Sequence, residues 1–123
     1  MGDPISGNGQ VKIASGQALS GIIDLGSAHF LTLYLPPAMT GTSFTFLGVC
    51  GSGNAETTDA AKAATFQAIN DDTNSAVTVP FTQGTSVGIG PTKMAPLAGF
   101  RFIKLQSNAN EGADRIIGIG LKA

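Results

Sequence analysis

The residues able to carry chemistry are few and far apart. His29 is the single histidine of the chain and Cys50 its single cysteine. A nucleophilic pair made of the two would need contact within about 3 Å, or one bridging water, and nothing in their spacing prepares it. Cys50 reads as a small apolar residue and His29 as a loop or strand-entry residue. One histidine excludes a multi-histidine metal site, and one cysteine excludes both an intramolecular disulfide and a multi-cysteine zinc site. The carboxylates are Asp3, Asp24, Glu56, Asp59, Asp71, Asp72, Glu111 and Asp114. Glycoside hydrolysis needs two of them facing across a cleft, yet most fall in turn segments, where acidic residues are favoured for backbone reasons.

Three further groups of residues are candidates. Asn70, Asp71, Asp72, Thr73 and Asn74 offer several oxygens to a calcium ion. Their spacing lacks the turn glycine and closing glutamate of an EF-hand loop, so a plain hairpin loop is expected. Gly48 to Gly53 is glycine-rich and follows a strand but lacks the Gly-Lys-Ser/Thr ending of a phosphate loop. Arg101 shares strand parity with Ile103 and Leu105; on a buried face its guanidinium needs a partner such as Asp24 or Asp114. The expectation is therefore a protein that is not an enzyme, with no catalytic, metal or cofactor residues.

Composition points the same way. The chain has 123 residues, which suits one domain. Charged residues make up 12%, against about 25% in typical soluble domains. A formal charge of −1 with Lys12, Lys62, Lys93, Arg101, Lys104, Arg115 and Lys122 scattered singly gives no footprint for nucleic acid. No apolar run approaches the ~20 residues that cross a bilayer. No secretory pattern opens the chain, so the expected site of synthesis is also the compartment, the cytoplasm. A large neutral surface rich in Thr, Ser, Gly and Ala suits contact with other protein.

Short runs of alternating apolar and polar residues, punctuated every 8–12 residues or so by Gly, Pro, Asn, Asp and Ser, position these groups. Expected strands are Val11 to Ile13, Ile22 to Leu25, Phe30 to Leu35, Ser43 to Val49, Ala64 to Ile69, Ala76 to Phe81, Thr85 to Gly90, Phe100 to Gln106 and Asp114 to Leu121. The fifth and sixth should form a hairpin around Asn70 to Ser75, and the last two a second antiparallel pair joined by Ser107 to Ala113. Pro80 suggests an edge or a bulge. Gly118 and Gly120 leave one face of the last strand open to another backbone. The Ala-rich stretch 55–63 reads as loop or short helix. The whole reads as all-β, a two-layer antiparallel β-sandwich, jelly-roll-like, with a flexible N-terminal arm at 1–9 and a single domain at 10–123. Leu33, Phe46, Val79, Ile103 and Ile119 are its expected core.

Several stretches together resemble small proteins encoded in tailed-phage structural gene blocks. They are Ala14 to Ser20, Ile22 to Gly26, Leu33 to Thr40 with Phe44 to Phe46, Gly99 to Leu105, and Ala113 to Ile116. The resemblance implies a virion structural protein, foremost a capsid decoration or cement protein on the capsid exterior. Its implied partner is the major capsid protein, and a homo-oligomer, for instance a trimer, is compatible with it. Phe100 to Leu105 also looks like a strand of galactose-binding-like jelly rolls, which keeps a carbohydrate-binding or adhesive module of a phage fibre or tail as the alternative. The lack of Trp and the single Tyr34 leave few platforms for stacking on sugars.

Overall fold

The computed structural model describes residues 6–26, 28–49 and 65–122. Among the described residues, nine strands and one short helix follow in the order β1 (Ser6–Ile13), β2 (Ile23–Asp24), β3 (Phe30–Tyr34), β4 (Ser43–Val49), β5 (Gln67–Ala68), β6 (Val79–Pro80), β7 (Ser86–Gly88), α1 (Pro91–Leu97), β8 (Phe102–Ser107) and β9 (Arg115–Lys122). A first sheet has the order β1-β9-β3-β7, and a second the order β2-β8-β4-β5, with β6 also on β4. All pairings are antiparallel.

The alternation in sequence becomes the two layers directly. In β3, Leu31 and Leu33 are buried while Phe30 and Tyr34 are exposed, and in β4 Phe44 and Phe46 are buried. One cluster joins Ile13, Leu31, Leu33, Ile117 and Ile119 of the first sheet to Ile23, Phe44, Phe46, Ile103 and Leu105 of the second. All five expected core residues lie in it. Because the chain passes from one sheet to the other at most connections, the sandwich has jelly-roll order.

Several expected pairings differ. Phe100 to Gln106 and Asp114 to Leu121 do not pair with each other: β8 lies between β2 and β4, and β9 between β1 and β3. The link between them crosses from sheet to sheet, a choice that strand patterning alone does not encode. The hairpin loop around Asn70 to Ser75 is present, closed by Ile69–Asn70 against Ala76–Val77, but β5 and β6 beyond it do not pair with each other. Both lie along the same edge of β4, at Leu47–Gly48 and at Ser43–Phe44, as one interrupted strand. The residues between them leave the sheet as a loop closed by an Asn70–Ala76 bridge. Pro80 does sit on that edge. β1 begins at Ser6, so Ser6 to Gly9 belong to the sheet and not to an arm; residues 1–5 lie outside the described residues, as does the stretch 55–63.

The helix α1 is a feature that the alternating pattern does not predict. Gly90 enters it extended, and Pro91 takes the first helical position, where its missing N–H satisfies nothing anyway. Met94 and Leu97, three apart, bury one side. With seven residues and Pro96 inside it, the segment has too little periodicity to stand out from a loop.

Candidate functional site

The outward side of the first sheet carries the largest exposed apolar residues. Phe30 is 58% exposed, Tyr34 60% and Ile116 45%. Register places them together. Phe30, Thr32 and Tyr34 face out along β3, opposite Lys122, Gly120 and Gly118 of β9, and Ile116 lies one outward step beyond Gly118. The face is nearly without charge. Lys122 and Lys12 stand at its margins, and Lys12 has Asp114 at 3.9 Å. Gly118 is not open to a neighbouring backbone as the sequence suggested. The Tyr34 side chain lies over it, so that a Cβ there would meet Tyr34 Cβ at 3.0 Å. This cross-strand contact is worth about 1 kcal/mol or less. Chemical denaturation of Tyr34→Ala should therefore lower the unfolding free energy by no more than about 1 kcal/mol, which leaves most of the ring's exposed area without a role inside the fold.

The second sheet's outward side is occupied differently. Phe102 and Val49 are buried there against Ile22 and Phe66. Lys104 Nζ sits 4.6 Å above the Phe66 ring and the Arg101 guanidinium 4.8 Å above that of Phe102. Arg101 precedes β8 and is exposed, so the condition of a buried face is not met, while Asp24, one of its two candidate partners, lies at 3.4 Å. An exposed pair of this kind contributes at most about 1 kcal/mol.

Glu111 is the group that sequence reasoning missed. It is 1% exposed, and its carboxylate accepts hydrogen bonds from Thr40 N–H (2.7 Å), Gly41 N–H (2.9 Å), Ser107 Oγ (2.8 Å) and Arg115 Nε (3.0 Å). Its backbone continues the knot, with Gly16 N–H donating to its carbonyl and its own N–H donating to the carbonyl of Gln17. Three connections between the sheets, β1 to β2, β3 to β4 and β8 to β9, are thereby tied at one residue. Burial alone would raise the carboxyl pKa; the four donors, Thr40 first, outweigh it and hold the group below the ordinary glutamate value. Gly41 has no room for a side chain, since a Cβ would land on Ser107 Oγ. Every carboxylate lone pair that matters is committed to holding loops, so the cluster positions backbone. The only sequence hint is the opposite charges of Glu111 and Arg115, four apart in a segment that is not helical.

The remaining candidates stay apart. His29 is exposed, with its backbone N–H on the carbonyl of Lys122. Cys50 and Gly51 to Gly53 lie outside the described residues, as do Asp3, Glu56 and Asp59. In the 70–76 loop, Asp71 Oδ1 accepts from Thr73 N–H, Thr73 Oγ1 and Ser75 N–H. The Thr73 hydroxyl, then the Ser75 and Thr73 amides, lower its pKa. This is a carboxylate closing its own turn. A groove of about 940 Å³ separates that loop from α1; Lys93 Nζ crosses it to the Thr78 carbonyl at 2.5 Å, and its described lining has no aromatic ring. Among the described residues, no three His, Cys, Asp or Glu side chains gather at one point, and no helix is long and apolar enough to cross a membrane.

No protein-family model matches the chain, and no curated protein does. Among solved structures, the chain is similar to the SPBc2 prophage-derived protein YomS, with a TM-score of 0.51 and 12% identity over 99% of each chain. At that identity the likeness concerns the fold: this β-sandwich is built, end to end, like that of a prophage-derived protein.

Proposed function

We propose that the chain is a non-enzymatic phage virion protein that decorates the capsid exterior, binding the major capsid protein and stabilising the coat lattice. The observation that carries the reading is the outward side of the first sheet, where Phe30, Tyr34 and Ile116 stand exposed on a face almost free of charge. Apolar surface of this kind is released from water when a partner covers it. A specific contact buries about 1,200–2,000 Å² in total, and many copies on a repeating lattice add weak contacts together. The structural likeness to a prophage-derived protein and the resemblance of several short stretches of the sequence to phage structural gene products lend the same support.

Counting copies of the chain in purified particles tests the proposal. A decoration protein should approach the copy number of the coat protein. A few copies per particle would instead favour an adhesive module of a fibre or tail, and absence from particles would end both readings.

A further inference from the structure

Among the described residues, the sandwich has four edge strands, and three of them are protected. β2 is two residues long and β7 three. The β5–β6 edge is interrupted by the 70–76 loop and carries Pro80. Short edges, interruptions and proline are the devices by which sheets avoid pairing with other chains. β1 has none of them over most of its length. It runs eight residues, has β9 as its one strand neighbour among the described residues, with Ser20 and Gly21 covering only its last two residues, and its one charge, Lys12, lies near that covered end.

The direction of its free groups follows from one hydrogen bond. The Lys12 carbonyl accepts from Gly21 N–H, on the side away from β9. In a strand the N–H and C=O of one residue point to the same side, and the side alternates. Gln10, Asn8 and Ser6 therefore turn their N–H and C=O outward as well, and no described residue pairs with them. Beside this edge, between β1 and β2, lies a cleft of about 240 Å³ whose lining includes Val11, Ile22, Ile23, Ile119 and Leu121. A strand added to β1 would satisfy the backbone groups and roof the apolar cleft in one step.

We infer that the β1 edge is a dimerisation site, where a second copy of this chain adds its own β1 antiparallel to the first. An edge pairing with itself in the antiparallel sense generates a two-fold axis and a closed pair, so each edge is used once and no filament follows. The formal charge of −1 sets up no repulsion between copies. Lys12 lies outside the free stretch, so no like charges are brought face to face in its middle. The first sheets of the two copies would then run on as one sheet, leaving the side with Phe30 and Tyr34 uncovered; the inference stands apart from the proposed function.

Sedimentation equilibrium of the full chain, from about 1 µM to about 1 mM, tests it. The expected result is a monomer–dimer equilibrium that Gln10→Pro abolishes. Proline there removes an outward donor, which an edge strand tolerates, and leaves the ladder to β9 intact, so circular dichroism and the melting temperature should be retained. A monomer at every concentration, or dimerisation unchanged in Gln10→Pro, would overturn the inference. Amide exchange in the unmodified protein reads the same site without a variant: the Gln10 amide should slow by about tenfold or more between dilute and concentrated samples, with Val11, bonded to β9, unchanged. Exchange at Gln10 independent of concentration would equally overturn it.

Discussion

Replacing Glu111 by alanine should lower the unfolding free energy by about 3–5 kcal/mol, the range found when one member of a buried ion pair is removed. The side chains of Glu111 and Arg115 are 0% and 16% exposed, so the guanidinium would keep its burial and lose its counter-charge. Thr40 and Gly41 would lose the acceptor of their amides and Ser107 that of its hydroxyl, and each orphaned buried donor adds to the loss. Urea denaturation followed by circular dichroism measures it. The same group gives a pH dependence whose sign is determined. Its pKa is lower in the folded protein than in the unfolded chain, so the folded state holds the proton less well. Its contribution is therefore complete above the unfolded value, about 4.3, and is lost as pH falls through the lower folded value. Stability should decline on acidification below about pH 5, and Glu111→Gln should remove this residue's share of the decline. A Glu111→Ala variant as stable as the parent would show that the knot does not hold the crossovers.

The second large effect concerns binding and not folding. Phe30→Asp and Ile116→Asp each place a carboxylate on the outward side of the first sheet, and in both cases a lysine stands opposite: Lys122 across from Phe30 and Lys12 across from Ile116. Cross-strand charge pairs of opposite sign are mildly favourable, so both variants should fold with stability within about 0.5 kcal/mol of the parent. If the face meets a coat subunit, however, each carboxylate is desolvated there against apolar surface. Central interface anchors cost about 2 kcal/mol or more when lost, roughly 30-fold in affinity, and the double variant should fall by at least about a hundredfold. Titrating capsids that lack the chain with each variant, and measuring bound protein after sedimentation, gives the number. Unaltered binding by a folded double variant would move the contact to another surface.

The sequence made the strands and the core visible because a half-buried strand must alternate, and Leu31, Leu33, Phe44 and Phe46 do so without interruption. It also named Asp24, beside Asp114, as a candidate partner of Arg101, and Asp24 is the one found. What it concealed were relations between distant segments. Asp114 to Leu121 shows the same alternation whether it pairs with β8 or, as found, with β1 and β3. Glu111 looked like an ordinary turn residue because its donors come from Thr40, Gly41 and Ser107, two of them backbone amides that carry no sequence signature. Exposure was hidden in a similar way: Phe30 and Tyr34 were assigned to one side of a strand, but only the register beside Gly118, Gly120 and Lys122 makes them one weakly charged surface. Arg101 shares the parity of the buried Ile103 and Leu105 yet is exposed, since β8 begins just after it.

A density map of an intact phage particle carrying this protein tests the central claim most directly. The account predicts the sandwich on the outside of the shell, with Phe30, Tyr34 and Ile116 pressed against coat protein. A particle without the chain, or one in which those three side chains face solvent while another surface makes the contact, would contradict it.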